Sequence, residues 1–148
     1  MKTKTNFKII NAWFSRSKYL IKKYILADML ALTKTEFSFL EIGPGGGDVL
    51  QWFMKIATGK GLKVNIFLVE SDLNIIKYIK EKIGEDNNIK YYHTDARGIA
   101  RLGLSVDYCF ANHFLHHLPD KEIPAFLGAM AKCTGRLFVF NDLHRSSL

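Results

Sequence analysis

The chain has 148 residues, 48% of them hydrophobic and 24% charged, a composition typical of one soluble globular domain with a single core. Nowhere do about 18 consecutive apolar residues occur, as a membrane-spanning helix requires, so we expect a cytoplasmic protein. Its two cysteines, Cys109 and Cys133, have neither zinc-knuckle spacing nor the pattern of a secreted disulfide framework, and we expect both to be reduced thiols.

The net charge of +7 comes from the N-terminal segment. Residues 1–35 carry eight basic side chains against Asp28 alone, whereas the remaining residues carry 13 basic and 13 acidic ones. We therefore predict an amphipathic helical cap over residues 1–35 with a solvated basic face, in which Ser15 or Ser17 caps a second helix; the alternative is contact with a membrane surface or an acidic partner. Its predicted apolar stripe consists of Phe7, Ile10, Trp13, Phe14, Tyr19, Leu20, Tyr24, Ile25 and Leu30.

From residue 36 onward, short apolar runs alternate with segments of helical periodicity, which is typical of βαβ units and a parallel sheet. The predicted strands are residues 37–42, 63–69, 89–93, 106–111 and 136–141. The predicted helices are residues 48–57, 73–83 and 121–132.

The first predicted strand runs into four glycines, Gly43, Gly45, Gly46 and Gly47, and then into a helix. Glycines at the carboxyl end of a first strand let a nucleoside approach the bare backbone closely. The dinucleotide fingerprint G-x-G-x-x-G is excluded, because its third glycine would fall on residue 48, which is Asp48. A phosphate-binding loop is excluded as well, because no Lys-Ser or Lys-Thr pair follows at the required position.

This segment, Glu41-Ile-Gly43-Pro-Gly45-Gly-Gly47, resembles the first motif of class I S-adenosylmethionine-dependent methyltransferases, an acidic residue followed by G-x-G-x-G. The resemblance extends over roughly residues 36–142. It implies an α/β, Rossmann-like methyltransferase fold, a mostly parallel sheet flanked by helices with about five of the usual seven strands. It also implies S-adenosyl-L-methionine as cofactor, bound in part by Glu41, Gly43, Gly45 and Gly47.

The same resemblance assigns roles to residues after the next three strands. Glu70, with Ser71 beside it, stands where the family places the acid that accepts hydrogen bonds from both ribose hydroxyls. Asp95, followed by Ala96, resembles the acid that contacts the adenine amino group. Asn112 ends the fourth strand, in the loop that flanks the methionine moiety and the methyl group. All five are therefore expected to bind the cofactor.

Three histidines follow the fourth strand. His113 and His117 are four residues apart, but we expect no metal site, because a strand precedes them, no Glu separates them and a fourth ligand is not evident. The Leu-His-His-Leu stretch is similar to one in small-molecule methyltransferases, including those of quinone and polyketide biosynthesis. His116 or His117 is thus a candidate catalytic base, a residue that orients the acceptor, or a structural residue.

The resemblance implies methyl transfer to a small-molecule acceptor, on oxygen or carbon, by in-line displacement. Nucleic-acid amine methyltransferases of this fold usually carry Asn- or Asp-Pro-Pro-aromatic after the fourth strand, whereas this chain reads Asn112-His-Phe-Leu115, which favours a phenolic, enolic or quinone-like acceptor over nucleic acid. The alternative is a catalytically inactive cofactor-binding or interaction module of the same fold. An RNA-binding protein would need an aromatic platform or motif that the sequence lacks.

The chain ends shortly after the fifth predicted strand. We expect residues 1–35 and a truncated binding domain, residues 36–148, to form one domain together, with homo-oligomer formation through the uncovered edge of the sheet. Asn141, Asp142, His144 and Arg145 resemble an Asn-Asp-Leu-x-Arg stretch found after the fifth strand of some such methyltransferases, where it leads toward the acceptor pocket.

Overall fold

The computed structural model describes residues 16–142, which form one parallel sheet with helices on both faces. The strands are β1 (Glu36–Ile42), β2 (Lys63–Glu70), β3 (Ile89–His93), β4 (Val106–Asn112) and β5 (Thr134–Asn141). The helices between them are α1 (Asp48–Gly59), α2 (Leu73–Ile83) and α3 (Ile123–Cys133), with short 3₁₀-helices at Ala96–Leu102, Leu115–His117 and Asp120–Glu122. Residues 16–31 form the N-terminal helix, which includes a π-helical part, Ile21–Leu26, and then Ala27–Ala31.

The strand order is β3-β2-β1-β4-β5, and all four pairings are parallel. β1 is the central strand: Phe39 lies opposite Ile66 of β2 and Tyr108 of β4. The chain therefore leaves β3 at one edge and returns beside β1, which makes the space between β1 and β4 a topological switch point. Ligands of open α/β sheets bind at such points, outside the carboxyl ends of the strands.

The two faces of the sheet carry two separate apolar clusters, because successive residues of a strand point to opposite faces. Phe39 of β1 belongs to the cluster beneath the N-terminal helix and α1, with Ile25 and Phe53. Leu40, the next residue, belongs to the opposite cluster with Met130 of α3. Within residues 16–142, no helix has both the length and the apolar character needed to cross a membrane.

The predicted fold class and all five strands are confirmed, with differences of one or two residues at the ends. The third predicted helix, residues 121–132, is divided: a 3₁₀ turn, Asp120–Glu122, precedes α3. Pro124 lies in the first turn of α3, where its missing N–H costs no intrahelical hydrogen bond. The 3₁₀-helix Ala96–Leu102 was not predicted, because its short sequence shows no clear helical period.

The predicted apolar stripe of the N-terminal segment is only partly correct. Ile25 is buried, whereas Tyr19, Tyr24 and Leu30 are exposed, at 57%, 43% and 47%. The stripe that enters the core instead follows i, i+4 spacing, and it consists of Ile21, Ile25 and Met29. Phe7, Ile10, Trp13, Phe14 and Ser15 lie outside the described residues, as do His144 and Arg145. The division of the chain at residue 35 stays a prediction.

Ser17 does not cap a helix, since residues 16–20 are already helical, and its side chain is fully buried. Asp28, further along the N-terminal helix, connects this helix to the sheet. Its carboxylate accepts hydrogen bonds from the Tyr108 hydroxyl at 2.6 Å and from Arg136 Nε and Nη2 at 2.6 and 3.1 Å. These bonds, first from Arg136 and then from Tyr108, lower the pKa of Asp28.

Replacing Asp28 with Asn should destabilise the fold by about 1–2 kcal/mol near pH 7, because the charge-assisted bonds are lost while partial exposure screens the ion pair. Since the folded-state pKa of Asp28 is lowered, its contribution is present above the unfolded-state pKa of about 4 and disappears as pH falls through the folded-state value. Urea unfolding at pH 7 and pH 3 measures this, with Glu81→Gln on the exposed side of α2 as control. A loss of equal size at both pH values would contradict it.

Candidate functional site

A cavity of about 650 Å³ opens at the carboxyl ends of β1, β2 and β4. Eight residues named by the sequence interpretation line it together: Gly43, Gly45, Glu70, Ser71, Asp95, Ala96, Asn112 and His117. Three others named there, Glu41, Gly47 and His116, do not line it. The wall also contains residues that the sequence interpretation did not assign to the site, among them Thr94, His113 and Phe114.

The bend after β1 needs glycine for two different reasons. Gly43, Gly45 and Gly47 all have positive φ, at 65°, 55° and 74°, which other residues adopt only with strain. A Cβ atom on Gly45 would meet nothing within 4 Å, so its backbone presents open space to the cavity. A Cβ atom on Gly47 would lie 3.2 Å from Ile79 of α2, so Gly47 allows close packing of the bend against that helix instead.

Glu70 is the last residue of β2, and the backbone after it fixes its carboxylate. Oε1 accepts hydrogen bonds from the Asp72 backbone N–H at 2.9 Å and from the Ser71 hydroxyl at 3.3 Å. Its other oxygen, Oε2, makes no hydrogen bond within residues 16–142. The side chain is thus held at the cavity wall with one acceptor oxygen available to a ligand.

Asp95 has a structural role as well as a place in the wall. Its Oδ1 accepts hydrogen bonds from the backbone N–H groups of Arg97 and Gly98, at 2.9 and 3.2 Å, and so caps the 3₁₀-helix that follows. The guanidinium of Arg97 lies 3.5 Å from Oδ2 and pairs with both carboxylate oxygens of Glu122, at 2.9 and 3.2 Å. Asp95 is therefore a helix cap, and its role toward the adenine group stays a prediction.

Asn112, at the end of β4, is fixed by two side chains that sequence reasoning did not connect to it. Its Oδ1 accepts hydrogen bonds from the Ser17 hydroxyl at 2.9 Å and from Asn141 Nδ2 at 3.1 Å. Asn141 Nδ2 also lies 3.1 Å from Ser17 Oγ, and both partners are buried. This network joins the N-terminal helix to the ends of β4 and β5 at the border of the cavity.

The histidine segment is not a regular helix. His113 has a left-handed backbone, with φ of 49°, and its N–H donates to the Asn141 carbonyl at 2.8 Å. A 3₁₀ turn, Leu115–His117, follows. His117 lines the cavity, whereas His116 lies against Asp142: its Nδ1 is 2.7 Å from Oδ1, and its backbone N–H donates to Oδ2 at 3.1 Å. Burial lowers the pKa of His113.

Glu41 lies within β1, just before the glycine bend, and its side chain is 1% exposed. Neither of its carboxylate oxygens has a hydrogen-bond partner among the described residues. Burial raises the pKa of Glu41 to about 8, so the group is mostly neutral at pH 7. The carboxyl group is therefore a buried polar group beside the bend, not a part of the cavity wall.

The sequence profile of a family described as "Methyltransferase domain" matches residues 39–135. This range begins within β1, contains the glycine bend and all of the expected cofactor-binding residues, and ends at the start of β5. Among curated protein sequences, none matches the chain significantly.

Solved methyltransferase structures share the fold. The DszA carbon methyltransferase superposes with a TM-score of 0.71 at 17% identity, over 88% of this chain and 36% of that one. The plantazolicin methyltransferase BpumL, in complex with a pentazolic desmethylPZN analog and SAH, superposes with a TM-score of 0.67 at 16% identity, over 96% and 52%. Phosphoethanolamine N-methyltransferase 1 of Haemonchus contortus, in complex with phosphoethanolamine and S-adenosylhomocysteine, superposes with a TM-score of 0.60 at 20% identity, over 89% of this chain and 26% of that one. The chain spans between about a quarter and a half of the length of these three proteins.

Replacing Glu41 with Gln should remove a pH dependence of folding. The unfolded chain releases the Glu41 proton at about pH 4.5 and the folded chain at about pH 8, so the wild-type loses stability as pH rises between these values and carries the full penalty above them. At pH 9 the variant should be more stable than the wild-type, by on the order of a few kcal/mol, and at pH 4 the two should be similar.

Urea unfolding of both chains across this range measures the difference, with Glu81→Gln as a matched surface control. Parallel curves for wild-type and Glu41→Gln would show that Glu41 is not a buried neutral acid in solution.

Proposed function

The chain belongs to the methyltransferase-domain family, and from this premise we propose that it transfers a methyl group from S-adenosylmethionine to a small-molecule acceptor. One observation carries the proposal: the glycine bend and the carboxylate of Glu70 line the same cavity, although 25 residues separate Gly45 from Glu70 in the chain. This is the pairing that the binding of an adenosine group requires, an exposed backbone and a nearby carboxylate.

The residues of the cavity fit S-adenosylmethionine. Gly43 and Gly45 offer backbone with no side chain in the way, and Glu70 offers an acceptor oxygen to ribose hydroxyls. Asp95 and Asn112 would hold the adenine and methionine parts. The strength of these contacts would depend on the polar atoms of each side chain that hydrogen bonds within the protein leave available. The buried carboxyl group of Glu41, which has no hydrogen-bond partner among the described residues, lies beside the bend, where a cationic group of a ligand would favour its ionised form.

S-adenosylmethionine supplies, when bound, a methyl group attached to a sulfonium sulfur. The thioether that this sulfur becomes is a good leaving group. The protein's own part is then to align the acceptor and exclude water. Apolar wall residues such as Val69, Phe114 and Leu118 serve the second purpose. We assign the alignment of the acceptor to His117 rather than to His116, because His117 lines the cavity, where it could orient an acceptor hydroxyl or take its proton. His116 does not line the cavity and is engaged by Asp142.

We propose a phenolic, enolic or quinone-like acceptor, methylated on oxygen or on carbon. The similar structures include a carbon methyltransferase and a phosphoethanolamine N-methyltransferase, so the same fold serves different acceptor atoms. Mass spectrometry and NMR of the product formed from a panel of such compounds would identify the methylated atom.

The second candidate function is a cofactor-binding module without turnover. It is favoured by the structural roles of Asp95, which caps a helix, and of Asn112, whose amide oxygen is already hydrogen-bonded by Ser17 and Asn141. Calorimetric binding of S-adenosylmethionine without product formation on any acceptor of the panel would favour this function over the first.

Replacing Glu70 with Ala should weaken S-adenosylmethionine binding about 10- to 100-fold, because a charge-assisted hydrogen bond contributes roughly 1.5–3 kcal/mol. Isothermal titration with S-adenosylmethionine and S-adenosylhomocysteine measures the affinity. Glu81→Ala, a carboxylate on the exposed side of α2, serves as control and should bind as the wild-type does. Equal affinities in wild-type and Glu70→Ala would remove Glu70 from the site and with it the main support for the proposal.

Self-association through β5 stays a prediction. Within residues 16–142 no strand pairs with the outer side of β5, and Phe140 on this strand is 48% exposed. Open strand edges with exposed aromatic side chains favour pairing with a second copy. Light scattering at micromolar concentration should show a dimer that Phe140→Lys weakens, and a stable monomer of the unmodified chain would contradict this.

A further inference from the structure

Within residues 16–142, one group of three histidine and acidic side chains lies close enough to share a metal ion. It consists of His113, His116 and Asp142, whose potential ligand atoms all lie within 4.8 Å of one another. None of the three belongs to the residues that we assign to cofactor binding. His113 lines the cavity, so the group lies at the cavity's border.

The sheet brings these side chains together. Asn112 of β4 is paired with Asn141 of β5, and His113 and Asp142 are the residues that directly follow this pair. The His113 N–H donates to the Asn141 carbonyl, which extends the pairing by one step and holds His113 in its left-handed conformation. A non-glycine residue keeps such a conformation only where its surroundings enforce it, and such positions cluster at functional sites.

Asp142 also holds the third member of the group in place. Its carboxylate contacts His116 twice, through the ring Nδ1 and through the backbone N–H. The His116 side chain is 27% exposed and that of Asp142 is 9% exposed. The group is thus largely shielded by protein, while the partly exposed His116 leaves it in contact with solvent, as a metal site that binds a substrate must be.

We infer that His113, His116 and Asp142 bind a divalent transition-metal ion of the Zn²⁺ type. Two imidazole nitrogens and one carboxylate oxygen form one of the donor sets found in catalytic zinc sites, in which a fourth position stays open. Mg²⁺ and Ca²⁺ prefer sets made of oxygen atoms, so the two histidines disfavour them.

The function of this ion rests on the proposed methyltransferase activity. An acceptor hydroxyl that coordinates to the open position would have its pKa lowered and would lose its proton to water or to His117. The bound oxygen would then attack the methyl group of S-adenosylmethionine, so that an O–CH₃ bond forms as the S–CH₃ bond breaks and neutral S-adenosylhomocysteine leaves with the electron pair on sulfur. Such a role fits a phenolic or enolic acceptor and explains why two histidines and a carboxylate converge beside the cavity.

Titration of the metal-free full chain with Co²⁺ alone, followed by visible absorption, and then with Zn²⁺ by calorimetry tests this inference. We expect one equivalent of ion per chain, and no comparable binding of Mg²⁺. His113→Gly removes one imidazole and suits the left-handed backbone, and Asp142→Asn preserves the shape of the carboxylate. Each should weaken binding at least as much as the 10- to 100-fold that loss of an outer-shell partner costs.

Two control variants separate this group from other histidines. His117→Ala should leave metal affinity unchanged within about twofold, although His117 is the partner that sequence spacing alone would pair with His113. His93→Ala, on β3, should likewise leave metal affinity unchanged within about twofold. Equal loss of affinity in His117→Ala and His113→Gly would overturn the assignment, as would the absence of stoichiometric binding, which would leave His116 and Asp142 as a simple hydrogen-bonded pair.

Titration of the metal-free chain with S-adenosylmethionine distinguishes this inference from the proposed function. Because Asp142 does not line the cofactor cavity, Asp142→Asn should retain S-adenosylmethionine affinity. Cofactor binding without metal binding would refute the metal site alone. Metal binding without cofactor binding would refute the proposed function.

Discussion

The central position of β1 between β2 and β4 is the constraint on which the rest of the structure depends. In a parallel sheet the carboxyl ends of all strands meet at one edge, and the crossover from β3 to β4 leaves an opening beside β1. The glycine bend can occupy this opening only because Gly43, Gly45 and Gly47 adopt left-handed backbone conformations. Glu70, Asp95 and Asn112 then reach the same cavity from the ends of neighbouring strands or the loops that follow them.

Several residues at this edge stabilise the fold and face the cavity at the same time. Asp95 caps the helix that supports the wall, and the Asn112 amide is held by Ser17 and Asn141. Such double roles keep the polar atoms of the site in fixed positions before a ligand arrives, which lowers the entropic cost of binding. Glu41 contributes differently, since its buried carboxyl group has no hydrogen-bond partner among residues 16–142 and destabilises the free protein when it ionises.

The carboxyl ends of β4 and β5 are a second place where the parallel sheet brings residues together that are distant in sequence. The pairing of Asn112 with Asn141 places His113 and Asp142 together, 29 residues apart in the chain. No pattern of spacing within the histidine segment reveals this contact, because the carboxylate belongs to the residue that follows another strand, β5. A metal site at this position would lie beside the proposed cofactor cavity and would connect it to the chemistry of the acceptor.

The sequence by itself determined the strands, the three main helices and the glycine bend, because hydrophobic periodicity and glycine placement are local properties of the chain. It also identified half of the residues that line the cavity, since parallel strands bring their carboxyl ends to one edge. Only the tertiary structure decided that Gly47 packs against Ile79, that His117 rather than His116 faces the cavity, and that Tyr19 and Leu30 lie outside the core. These outcomes depend on how elements distant in sequence pack together, and local patterns carry no information about that packing.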